Sequence, residues 1–139
     1  MHLEQFDKEL SIQDHSAKNL LENTPELNGW VYEPTYESTR VLKRYFRSDT
    51  YMGTVDMISK IAGIFAVSKY YGKFIMHENG LLEIHLGDGS IITMADFKMA
   101  KEVNEYMKQF TASGSVKTIP QLKSKSNTCL LYTSDAADE

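Results

Sequence analysis

Cysteine is nearly absent: the 139 residues hold one, Cys129. That excludes a disulfide framework, and with only four histidines no Cys/His spacing of the zinc-holding kind occurs. Proline is scarce, at three, and glycine stands at eight, so nothing reads as collagenous or low-complexity. Long hydrophobic runs are missing as well. No stretch approaches the ~20 apolar residues of a membrane span, and the first residues lack the basic-then-apolar order of a secretory leader. No membrane association is expected, and the location expected is cytoplasmic, with the nucleus as the alternative. Clustered positive charge is also lacking. Fifteen Lys+Arg against 19 Asp+Glu leave a net charge of −4, with no basic patch to neutralise a run of phosphates, so direct nucleic-acid binding is not expected. No Gly-rich phosphate loop and no Ser-His-Asp pattern occur, so neither a metal nor a bound cofactor is expected.

The chain does hold the make-up of one ordinary globular core, 42% hydrophobic and 24% charged. Residues 1–13 mix charged and apolar side chains without a period and read as an N-terminal arm. From Asp14 to Glu22, Ala17, Leu20 and Leu21 fall at helical spacing, and Asn23-Thr24-Pro25 supplies a stop. Trp30-Val31-Tyr32-Glu33-Pro34 and Arg40 to Arg47 concentrate β-branched and aromatic residues and predict the two strands of a hairpin after the Asn28-Gly29 turn. Thr50 is a candidate N-cap for a helix reaching Lys69, with Met52, Val55, Ile58, Ala62 and Phe65 as its apolar stripe and Gly72 as its breaker. Phe74-Ile75-Met76 and Leu82 to Leu86 form a second hairpin around Asn79-Gly80, and in the latter strand Glu83 and His85 alternate with the apolar residues, on an open face. Gly87-Asp88-Gly89 closes it. Thr93 and Asp96 have the spacing of a helix-capping pair, and Phe97, Ala100, Val103, Met107 and Phe110 continue that helix.

The domain therefore spans 14–110. It is an α+β, two-layer sandwich of order α-β-β-α-β-β-α, with a four-stranded antiparallel sheet and its helices on one face. Residues 111–128, rich in Ser, Thr, Lys and Gly, predict a mobile tail. The last segment, 129–139 (CLLYTSDAADE), reads as the translation of a transposon adaptor used in sequencing libraries, and is set apart from the fold as a tag would be. That step also removes the only cysteine.

The element order and its details resemble the pterin-4a-carbinolamine dehydratase family, whose members also serve as a dimerisation cofactor of a homeodomain transcription factor. The resemblance covers about ninety residues. It is carried by Gly29-Trp30, by Arg44-Tyr45-Phe46 for the family's Arg-x-Phe strand, by the helix Thr50 to Lys69, by the hairpin at Asn79-Gly80, and by Thr93-x-x-Asp96 opening the last helix. The departure falls where the family carries His-His-Pro. Tyr70-Tyr71-Gly72 stands there, and the loop that brings a further histidine is replaced by Gly87-Asp88-Gly89.

The resemblance implies a lyase of tetrahydrobiopterin recycling, 4a-hydroxytetrahydrobiopterin dehydratase, assembled as a homodimer or homotetramer. In that reaction a proton leaves N5 of the carbinolamine while another reaches the departing 4a-hydroxyl, which suits groups with a pKa near neutrality. Histidine fits that need; tyrosine, near 10, is a poor base but can stack on a flat pterin and bond its edge. The catalytic candidates are Tyr70, Tyr71, His85 and Asp88, and the substrate-binding candidates are Tyr70, Tyr71, His77 and Asp96. Each has a plainer use: packing for the tyrosines, turn chemistry for Asp88, capping for Asp96. Two functions stand open, a weak or inactive dehydratase-like protein with a degenerate active site that takes a pterin, or a non-catalytic oligomerisation or protein-binding module.

Overall fold

The computed structural model describes residues 11–34, 39–113 and 116–118. Its elements in chain order are α1 (Asp14–Asn23), a 3₁₀ turn (Pro25–Leu27), β1 (Arg40–Ser48), α2 (Tyr51–Val67), β2 (Lys73–Met76), β3 (Leu81–Gly89), α3 (Met94–Ser113) and β4 (Val116–Thr118). The sheet is antiparallel, in the order β2-β3-β1-β4. The α+β class and the four-stranded sheet are as the sequence predicts. The fourth strand is not where it was expected.

Trp30 to Pro34 contributes one bridge, Val31 to Lys43, rather than a strand. Two forces hold the segment away from β1. The Trp30 indole donates to Ala100 O (3.2 Å) and Asn104 Oδ1 (2.8 Å) on α3, and Gly29 reverses the chain at a φ of 94°. Farther along the same edge of β1, Phe46, Arg47 and Ser48 pair instead with Thr118, Lys117 and Val116. The fourth strand therefore falls in the Ser/Thr-rich stretch expected to be a tail, and α3 runs on to Ser113. Residues 119–128 of that tail, residues 129–139 and most of the N-terminal arm lie outside the described residues. Within the arm, Ser11 bridges Thr93 and Ile12 N–H donates to Ile92 O at 2.7 Å.

One face of the sheet builds the core. Leu42, Phe46, Leu82, Ile84 and Leu86 are all fully buried and share a cluster with Met57, Ile61 and Phe65 of α2 and Phe97, Ala100, Val103 and Met107 of α3. Each such side chain contributes about 1.5–3 kcal/mol on burial. The buried stripe of α2 is Thr54, Met57, Ile61 and Phe65, rotated from the predicted one, and Met52 is exposed. Thr50 caps that helix as predicted, its hydroxyl accepting the Gly53 N–H at 2.9 Å.

Near the end of β3 the ladder carries a bulge. Arg40 pairs with Gly89 but Leu42 with Leu86, so β3 holds one extra residue there, with Gly87 at a φ of 115°. This bulge and the end of α2 bound the cleft described next.

Candidate functional site

Helix α2 ends at Val67, two residues before the expected Lys69. Lys69 takes the left-handed conformation at φ 53°, its N–H donates to Ala66 O, and the Tyr70 N–H reaches back to Phe65 O at 2.9 Å. These are the two bonds of a Schellman motif, with lysine in the place that glycine usually fills. The motif's apolar contact is present too, the Tyr70 ring standing edge-on to Phe65 with centroids 5.3 Å apart. Tyr70 is thus aimed by the helix terminus. Gly72 serves packing, since a Cβ there would come within 2.5 Å of the Phe65 ring.

At the start of α3, the Asp96 carboxylate folds back on its own N-terminus. Oδ2 accepts the Thr93 N–H (2.9 Å) and the Thr93 hydroxyl (3.2 Å), as the capping spacing predicts. Its other oxygen, Oδ1, accepts the Tyr70 hydroxyl at 2.5 Å. Tyr70 and Asp96 therefore form one part-buried network that links the end of α2 to the start of α3. Burial, reinforced by the Asp96 charge and hydrogen bond, pushes the Tyr70 phenol far above its ordinary range, so it stays protonated.

This pair lies in a cleft of about 390 Å³ that Tyr71, Asp88, Ile91 and Met99 also line, a volume within the span of small-molecule sites. Tyr71 stands 89% exposed at its mouth. Asp88 works as a loop cap: Oδ1 accepts the Ser90 N–H (2.8 Å), the Ser90 hydroxyl (3.0 Å) and the Ile91 N–H (3.2 Å), and the two backbone bonds hold its carboxyl below the usual range. Four of the six predicted site residues, Tyr70, Tyr71, Asp88 and Asp96, are thus brought together. Lys69, Lys98 and Glu102 also line the cleft. Ala95, Lys98, Met99 and Glu102 recur at three and four residues along α3, a stripe that borders the core and shares Met99 with it, and that spacing was the available signal for them.

His77 and His85 are elsewhere. Both ring Nε2 atoms address Glu83, His77 at 2.7 Å from Oε1 and His85 at 2.5 Å from Oε2, on the sheet face away from the core. That face is less open than the alternation suggests. The His85 side chain is 15% exposed and Glu83 13%: Glu83 sits between Tyr45 on β1 and Ile75 on β2, and His85 between Lys43 and Lys73. Burial works to raise the Glu83 carboxyl, but hydrogen bonds from His85 and His77 outweigh it and bring the pKa to about 2.

No protein-family model and no curated protein matches the chain. Among solved structures, a transcriptional coactivator/pterin dehydratase from Brucella melitensis aligns with a TM-score of 0.55 over 69% of this chain and 97% of that one, at 14% identity. The fold is pterin dehydratase-like. An identity that low speaks for architecture alone, and the residues of the dehydratase-like scaffold carry the rest of the argument. Among the described residues, no histidine lines its cleft.

Proposed function

We propose that this protein is a binding form of the dehydratase-like scaffold, whose cleft takes a flat, polar-edged heterocycle of the pterin kind and dehydrates a carbinolamine weakly or not at all. The observation that carries this reading is the closed Tyr70–Asp96–Thr93 network. Dehydration needs one group to accept a proton from N5 and another to deliver one to the leaving hydroxyl. The Tyr70 phenol holds its proton too tightly to act as a base, and its hydrogen is already spent on Asp96. Asp88 stays ionised and accepts hydrogen bonds from its own loop, so it has no proton to give. His77 and His85 are engaged by Glu83 and line no part of the cleft. A rate lower by about 10²–10⁴ than that of a site with positioned acid–base groups is expected.

Binding does not need that chemistry. The exposed Tyr71 ring and the Ile91 side chain offer apolar area at the mouth for stacking on a bicyclic ring. Calorimetric titration with 7,8-dihydrobiopterin tests the reading. Saturable binding weakened about tenfold by Tyr71→Ala is expected, and absence of binding to a folded protein would overturn it.

A second reading, a non-catalytic self-association module, is favoured by one observation. Helix α2 leaves Tyr51 and Met52 68% and 67% exposed at its start and Val67 86% exposed at its end, apolar side chains that self-association as a homodimer or homotetramer would cover. Sedimentation velocity distinguishes it: a monomer at micromolar concentration argues against self-association, whatever the cleft binds.

A further inference from the structure

Arg44 lies on the core side of β1 between Leu42 and Phe46, and is only 8% exposed. Among the described residues no carboxylate pairs with it. Its Nη1 donates to the Asn28 carbonyl and to Asn104 Oδ1 (2.8 Å). The Phe46 ring lies 4.6 Å from its Cζ, and Gly29 packs so closely that a Cβ there would meet the guanidinium. Burial draws its pKa down to about 10, which still leaves a full positive charge at neutral pH. A buried cation without a counter-charge is costly, and proteins rarely leave one so.

The unused atoms of that guanidinium are informative. Among the described residues, Nη2 donates to none, and Nε is buried without a hydrogen-bond partner. Nε is enclosed, so Nη2 is the guanidinium nitrogen left to donate a charge-assisted bond to a carboxylate or phosphate in the cleft. Arg44 also lines a cleft of about 360 Å³, separate from the first and farther along α3, together with Asn28, Phe46, Asn104, Lys108 and Glu26. The Lys108 ammonium is held only by a loose surface pair with Glu105 (3.1 Å, side chains 71% and 76% exposed), which costs little to break. Glu26 supplies the opposing charge at the rim.

We propose that this second cleft binds a small oxyanion, a carboxylate or a phosphate group, with Arg44 as the buried counter-charge and Lys108 as the rim cation. The site is independent of any ligand in the first cleft. It also carries its own reporter. The indole of Trp30, the only tryptophan in the chain, donates to the same Asn104 Oδ1 that accepts from Arg44, so an anion that draws the guanidinium changes the indole's hydrogen bond.

The test titrates the full chain with inorganic phosphate and, in a second arm, with succinate, each against sodium chloride at matched ionic strength, following Trp30 emission. A saturable change with phosphate or succinate that chloride does not reproduce is expected, and the arm that gives it identifies the anion's class. Lys108→Gln is expected to raise the dissociation constant about threefold and Glu26→Gln to lower it by a similar factor, the size of an exposed charge pair. Both residues are exposed, so these variants fold even if Arg44→Lys does not. A response equal to that of chloride, or one that neither rim substitution moves, would overturn the proposal.

Discussion

Tyr70 shows how far a single side chain can be read from sequence. Its place beside a helix end was legible, and so was the Thr93–Asp96 cap, because both depend on residues a few positions apart. The bond that joins them spans 26 positions, and no local pattern encodes it. Tyr70→Phe leaves Asp96 Oδ1 buried without its donor, so a loss of about 1–3 kcal/mol is expected by urea denaturation. Tyr71, next in sequence and almost fully exposed, is expected to tolerate alanine within about 0.5 kcal/mol. Adjacent tyrosines that look alike in the sequence thus separate into a structural strut and a surface ring. His85 was misjudged for a related reason. Alternation placed it on the outer face correctly, but its cover comes from neighbouring strands, which alternation does not describe.

Helix α2 was found easily and oriented wrongly. Met52, Val55, Ile58, Ala62 and Phe65 repeat at helical spacing, but so do Thr54, Met57, Ile61 and Phe65, and the second set is the one buried. A helix apolar on most sides offers two stripes, and propensity does not choose between them. Thr54 shows what does: its hydroxyl donates to Gly80 O at 3.0 Å, which ties this face to the β2–β3 hairpin. Ile61→Ala is expected to cost about 2–5 kcal/mol and Met52→Ala close to nothing, and a single pair of melting curves decides between the stripes. The end of the helix gives a second contrast. Lys69 sits in left-handed backbone that costs an L residue about 1–2 kcal/mol. Lys69→Gly is expected to gain about 0.5–1 kcal/mol, seen as a higher urea midpoint at unchanged slope. The short strand β4 escaped notice because Val116–Thr118 has a strand's backbone pairing but too few residues for a pattern.

For the whole molecule, both faces of the sheet carry information. The core face supplies stability through apolar burial. The outer face holds Glu83 between two histidines, and its carboxyl is brought to about 2 from an ordinary 4.5. A depressed carboxyl contributes stability above its unfolded value, and that contribution drains away as pH falls through the folded one. The protein should therefore lose stability between about pH 4.5 and pH 2 more steeply than Glu83→Gln does, measured by urea midpoints across that range. Fold and function also part at this scale. The pterin dehydratase-like architecture was legible because strand and helix order survive wide sequence change. The cleft's acid–base character depends on a few side chains and their protons, and here those are Tyr70, Asp88 and Asp96, all engaged with protein partners.

Stopped-flow dehydration of chemically generated 4a-hydroxytetrahydropterin, at protein concentrations that saturate the cleft, tests that account most directly. A rate at or only slightly above buffer, about 10²–10⁴ below that of a site with positioned acid–base groups, from protein that binds 7,8-dihydrobiopterin, is the predicted result. A saturable rate well above buffer that falls with Tyr70→Phe would contradict it, by showing that the Tyr70–Asp96 network transfers protons after all.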